Sequence, residues 1–228
     1  VGVGGAGYAG QPPPKRKRPT WLVGGLTVVG FVALLYAIEL WDAMSGHRLD
    51  DNGIRPLDTD GLRGVLFAPL LHANWDHLIA NTLPALVLGF LMTLAGLWRF
   101  VAATAIIWVV GGLGTWLIGN IGVRCPYVGV QCTSNHIGAS GLIFGWLAFL
   151  IVFGFFTRKM WEIVVGVVVL FLYGSVLLGV LPGTPGVSWQ GHLCGALAGV
   201  LAAYLLSGPE RRARERRKAR TTNPYLTP

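Results

Sequence analysis

The sequence predicts an all-α membrane protein of six spanning helices with both termini cytoplasmic. Three observations carry this. Of the 228 residues, 53% are hydrophobic and only 12% charged, about half the charged share of a soluble domain. The apolar residues come in six unbroken runs near the roughly 20 residues that cross a bilayer, without the alternation of a membrane β-strand. The basic residues fall in alternate connections, as the positive-inside rule requires.

The first run, Trp21 to Trp41, follows Lys15, Arg16, Lys17 and Arg18, which hold its start in the cytoplasm. A secretory signal peptide, with Ala43-Met44-Ser45 as cleavage site, is disfavoured because the run far exceeds the usual signal core. Residues 1–20, rich in Gly and Pro, read as a disordered basic segment. The second run is Asn74 to Thr93 and the third Phe100 to Ile118, with Arg99 between them. The fourth, Ile137 to Phe156, and the fifth, Trp161 to Leu181, flank Arg158 and Lys159. The sixth is Gly191 to Leu206, which closes a membrane domain over residues 21–207. A basic cytoplasmic tail follows over 208–228, with Arg211 to Arg220 suited to anionic lipid.

The charge of +8 is thereby used for topology, and nucleic acid is not expected as a partner. Of the 18 Lys and Arg, only Arg48, Arg55, Arg63 and Arg124 fall in the outer connections. Cys125 and Cys132 lie in the second outer connection, where they read either as a disulfide or as free thiols, and Cys194 lies within the sixth span. A structural zinc site is not supported, because four ligands are usual and only His136 is near those cysteines. No metal or cofactor is expected.

Polar side chains within spans are costly, so each is a candidate for function. His72, His77 and Asn81 stand at the start of the second span, Ser140 near the start of the fourth and His192 at the start of the sixth. Glu39 and Glu162 read as interfacial, which leaves no intramembrane carboxylate for a catalytic triad. Spans two, four and six all run outside to inside, so the five candidates share one layer near the outer face.

Gly141 and Gly145 in span four, and Gly191, Gly195 and Gly199 in span six, recur every fourth residue, a pattern that lets transmembrane helices touch. Their pairing would bring His192, a base near neutral pH, to Ser140, a nucleophile that needs one. His77 and Asn81, four apart, share a helix face. Together with the Ser140 N–H at the start of its helix they could donate to a developing oxyanion.

His72-Ala-Asn-Trp-Asp-His77-Leu-Ile-Ala-Asn81, Gly138-Ala139-Ser140-Gly141 and His192-Leu-Cys-Gly195-Ala-Leu-Ala-Gly199 resemble, in order and on the matching spans, the three motifs of the rhomboid intramembrane proteases. The resemblance covers about Trp21 to Leu206. It implies Ser140 as nucleophile, His192 as general base, His77 and Asn81 as oxyanion stabilisers, and His72 beside that hole. It also implies, as substrates, single-pass transmembrane proteins cut in or next to their helix near the outer face of a bacterial plasma membrane, without cofactor or metal. Two stretches depart from the pattern: Arg63-Gly64 stands where many rhomboids carry Trp-Arg, and Val187 where a glycine is common. The Pro182-Gly183-Thr184-Pro185-Gly186 connection beside His192 is the expected movable cap. A non-catalytic rhomboid-fold escort of membrane clients, or a transporter with a histidine relay, are the competing readings, and the second leaves Gly-Ala-Ser-Gly unexplained.

Overall fold

A computed structural model describes residues 19–122, 133–183 and 186–222. Six helices in it are long and apolar enough to cross a membrane: Thr20–Ser45, Trp75–Leu94, Leu97–Ile118, Ser140–Thr157, Met160–Val180 and Trp189–Leu206. They are called spans one to six. Among the described residues there is no β-strand, only an isolated bridge between Ile54 and His136. Cys125, Cys132 and Arg124, the basic cluster from Lys15 to Arg18, and Thr184 and Pro185 of the expected cap lie outside the described residues.

Span four is the centre of the bundle. It is 67% buried, against 11% for span five, which presents its Val- and Leu-rich surface to lipid. Trp146, Leu147 and Phe149 of span four are enclosed by Val28 and Leu35 of span one, Leu88 and Met92 of span two and Ile107 of span three. Because lipid is as apolar as these side chains, close approach rather than water exclusion holds the helices together.

The glycine stripe produces that approach. A Cβ on Gly195 would collide with the carbonyl of Gly141, and one on Gly199 with that of Gly145, so spans four and six meet backbone to backbone. Span three joins from the other side, where Gly111 packs on the backbone of Gly195. It does so across a π-helical stretch, Ile107–Gly111, a local widening common near functional sites.

Span boundaries shift by up to four residues from the sequence reading, and three differences stand out. Span one continues past Trp41 to Ser45, where Gly46 (φ 79°) caps it with an N–H to Asp42 O. Nothing before Gly46 breaks the helix, so Glu39 is carried inside and is 1% exposed, with Oε1 unpaired. A buried carboxylate thus lies within the helix of span one, where the sequence reading expected none. Span five is α-helical only to Tyr173 and tightens to a 3₁₀ helix over Gly174–Val180, a change that a uniformly apolar run does not reveal. The tail forms a helix over Gly208–Thr222. Glu210 pins it by ion pairs with Arg99 and Lys159, and Lys159 also pairs with Glu162.

The connection between spans one and two is folded against span three. Trp108 Nε1 donates to Val65 O at 2.9 Å and Trp116 Nε1 to Asp58 O at 2.8 Å. Within it Arg55 pairs with Asp58 at 2.7 Å, which holds the Asp58 carboxyl below its usual range. At Gly64 a side chain would strike the backbone of Gly53 and Ile54. The path of this connection therefore requires the glycine that departs from the family pattern.

Candidate active site

Ser140 is the first residue of span four, His192 the fourth residue of span six, and His77 the third of span two. All three are therefore at one end of the bundle, and the helices' start signals put them there. Asn74 caps span two by accepting from His77 N at 2.9 Å, and Ser188 caps span six by accepting from Gly191 N at 3.1 Å.

Ser140 Oγ lies 2.9 Å from His192 Nε2. The other ring nitrogen, Nδ1, is 3.0 Å from the carbonyl of Gly179. A carbonyl only accepts, so Nδ1 carries the proton and Nε2 turns its lone pair to the serine hydroxyl. No carboxylate is hydrogen-bonded to His192 among the described contacts. The 3₁₀ end of span five supplies the orienting oxygen instead. At Gly179 a Cβ would come within 2.8 Å of Phe144 Cζ and 3.2 Å of His192 Nδ1, so only glycine brings its carbonyl this close. Phe144 stacks on the imidazole with centroids 4.0 Å apart and planes 10° from parallel. The ring is thus fixed by two bonds and a stack.

On the opposite side, Gly138 (φ 121°) turns the chain into span four under the ring of His77. A Cβ there would lie 2.7 Å from His77 Cε1 and 3.7 Å from Ser140 Oγ, so His77 and the serine flank the same few ångströms of space. Asn81 is buried, and its Nδ2 has no hydrogen-bond partner. Such a buried free donor costs about 1–3 kcal/mol and is available to an anion formed nearby. His72 packs edge-on to His77 at 5.1 Å, and its Nε2 receives a long hydrogen bond from Ala139 N at 3.4 Å. Burial, then the neighbouring His77, pushes the His72 imidazole down to about 4, so at neutral pH it is an uncharged acceptor that supports the turn before Ser140.

His136 was not among the candidate site residues, although it belongs to the site's frame. Its Nδ1 is 2.6 Å from Ser188 Oγ, and its Nε2 is 2.7 Å from Ser134 Oγ and 3.2 Å from Gly119 O. Burial holds its imidazole below the ordinary histidine range, so it is neutral. It accepts from the hydroxyl that caps span six and donates toward the end of span three. A histidine two residues before Gly138 carries no periodic signal, and only the assembled loops reveal its role. Beside it, His136, Ser188, Thr115 and Gly191 line a cavity of about 50 Å³ that also touches Ser140. It has room for a few waters.

The sequence-derived residues thus converge: Ser140, His192 and His77 meet around one point, with Asn81 on the same helix as His77. A serine hydrogen-bonded to an oriented imidazole, flanked by His77 and by a cavity with room for water, has the parts needed for acyl transfer, and the unpaired Asn81 Nδ2 stands one turn along the helix from His77.

A family model described as the Rhomboid domain matches residues 60–209. The chain is 68% identical over 215 residues to uncharacterized proteins of Mycobacterium bovis and Mycobacterium tuberculosis, covering 92% of this chain and 87% of each relative. It is 57% identical over 223 residues to an uncharacterized protein of Mycobacterium leprae, covering 96% and 86%. No solved structure matches.

Proposed function

The chain belongs to the rhomboid family, and from that premise we propose that it is an intramembrane serine endopeptidase. It cuts single-pass membrane proteins in or next to their transmembrane helix. The observation that carries this is the 2.9 Å contact of Ser140 Oγ with His192 Nε2, while Gly179 O holds Nδ1. The protein is an integral membrane protein of six apolar helices. The reading adds that both termini are cytoplasmic, that the basic segments at residues 1–20 and 208–228 flank the catalytic domain there, and that the dyad faces the outer side of the plasma membrane.

In this mechanism His192 Nε2 takes the hydroxyl proton as Ser140 Oγ attacks the scissile carbonyl. The carbonyl oxygen becomes an oxyanion, and His77, Asn81 Nδ2 and the Ser140 N–H donate to it. Collapse of the intermediate transfers the proton from His192 to the leaving amine and leaves an acyl-serine. A water then attacks that ester, with His192 as base again, and the cavity beside Ser140 can hold it. Gly179 O, which fixes the tautomer, stabilises the transient imidazolium in the place a carboxylate takes in a triad.

The test is cleavage of a model single-pass substrate in proteoliposomes by Ser140→Ala, His192→Ala and the double variant. Each should be inactive while still inserted and folded, and the double variant no worse than either single one, because the two act as a unit. Asn81→Ala should retain activity reduced by about 10² to 10³, since other donors persist. Normal cleavage by Ser140→Ala would end the assignment.

A further inference from the structure

Span one ends in a group of side chains that the protease reading does not use. Asp42 is 1% exposed, and its Oδ1 accepts from Leu49 N at 2.7 Å while Oδ2 has no hydrogen bond. Glu39, one turn earlier on the same face, is equally buried with Oε1 unpaired. Asp50 Oδ1 is also buried and unpaired. His47 is bent back toward them by two consecutive positive φ values, 79° at Gly46 and 57° at His47. Its Nδ1 lies 3.5 Å from Asp42 Oδ2 and 3.8 Å from Asp50 Oδ2.

We propose that Asp42, His47 and Asp50, with Glu39 beneath them, form a binding site for one divalent transition-metal ion of the Zn²⁺ type.

Geometry supports it first. One ligand atom from each of Asp42, His47 and Asp50 lies within 4.8 Å of the others. Zinc bonds to carboxylate oxygen and imidazole nitrogen are about 2.0–2.2 Å, so tetrahedral ligands stand roughly 3.3–3.6 Å apart. The 3.5 Å and 3.8 Å spacings need only a slight contraction. Charge supports it second. Asp42 sits in the last turn of span one, where the backbone dipole repels anions. Among the described residues no lysine or arginine is ion-paired with any of the four. Half-exposed His47 turns its Nδ1 toward Asp42 and Asp50, and an imidazole nitrogen is an ordinary ligand of such ions. Mixed imidazole and carboxylate donors favour Zn²⁺ over Mg²⁺ or Ca²⁺, which prefer all-oxygen sets.

The ion would act on more than the end of span one. Asp50 O accepts from Asn135 Nδ2 at 2.7 Å, and Ile54 exchanges backbone hydrogen bonds with His136 at 3.0 and 2.9 Å. A metal on Asp50 would therefore brace the segment from Asn135 to Gly138 that leads into Ser140. This site does not depend on the protease reading, and its test reads binding rather than cleavage.

The full-length protein in detergent, stripped with a chelator and desalted, is titrated with ZnCl₂ by calorimetry, and its thermal unfolding is followed with and without Zn²⁺. One equivalent should bind and raise the unfolding temperature, as a ligand of the native state must. His47→Ala, at a half-exposed position, and Asp50→Asn should each weaken binding at least about tenfold. Zinc-edge X-ray absorption should show only nitrogen and oxygen neighbours near 2.0–2.1 Å. No uptake, uptake unchanged in His47→Ala, or a sulfur shell that places the ion on cysteine would each overturn the proposal.

Discussion

Gly195→Ala tests whether contact of two helix backbones sets the distance of the dyad. The new methyl would overlap the carbonyl of Gly141. Carbon and oxygen tolerate little closer than about 3.3 Å, so spans four and six must separate by about 1 Å. Ser140 and His192 sit on these two spans, one turn or less from the contact. The 2.9 Å bond would open to about 3.9 Å, beyond hydrogen-bonding reach. A displacement of this size costs on the order of 10²-fold in catalysis, about 2.7 kcal/mol of barrier. Overpacking itself costs about 1–3 kcal/mol of stability, so the variant should still fold. Gly30→Ala is the control, since nothing lies within 4 Å of its Cβ, and it should be neutral or slightly stabilising. Initial rates of substrate cleavage in proteoliposomes and thermal unfolding are measured for both variants. Full activity in Gly195→Ala would refute the reasoning.

The share of stability that His72 contributes should be lost as pH is lowered from about 6.5 toward 4. Burial depresses the folded-state His72 imidazole to about 4, so in that window the unfolded chain binds a proton that the native state refuses. The stabilisation is complete above the ordinary histidine value and is lost as pH drops; thermal unfolding of His72→Gln should show a shallower pH dependence there than wild type. Topology makes a separate prediction. Reporters fused after Gly208 should be cytoplasmic and a reporter within residues 51–60 external, and the reverse would move the dyad to the other face.

The spans were legible because hydrocarbon admits only helices and closed barrels, and long apolar runs without alternation leave the helix, so run length and flanking charge suffice. The pairing of spans four and six was legible because only glycine permits such contact, and Gly195 and Gly199 stand at helical spacing. What escaped were features that depend on packing rather than periodicity. The 3₁₀ end of span five looks like any apolar run, yet it brings Gly179 O to His192. Glu39 near a span end reads as interfacial by charge alone, whereas the continued helix and the folded connection bury it. His136 has no pattern of its own, and its value lies in joining Ser188 to the end of span three.

In the proposed mechanism His192 activates Ser140 as a nucleophile. Incubating the purified protein with a fluorophosphonate probe and mapping the adduct by mass spectrometry tests it without knowledge of the substrate. Labelling of wild type at Ser140, lost in Ser140→Ala and strongly reduced in His192→Ala, is the predicted result. Folded wild-type protein that takes up no label at Ser140, or equal labelling in His192→Ala, would contradict it.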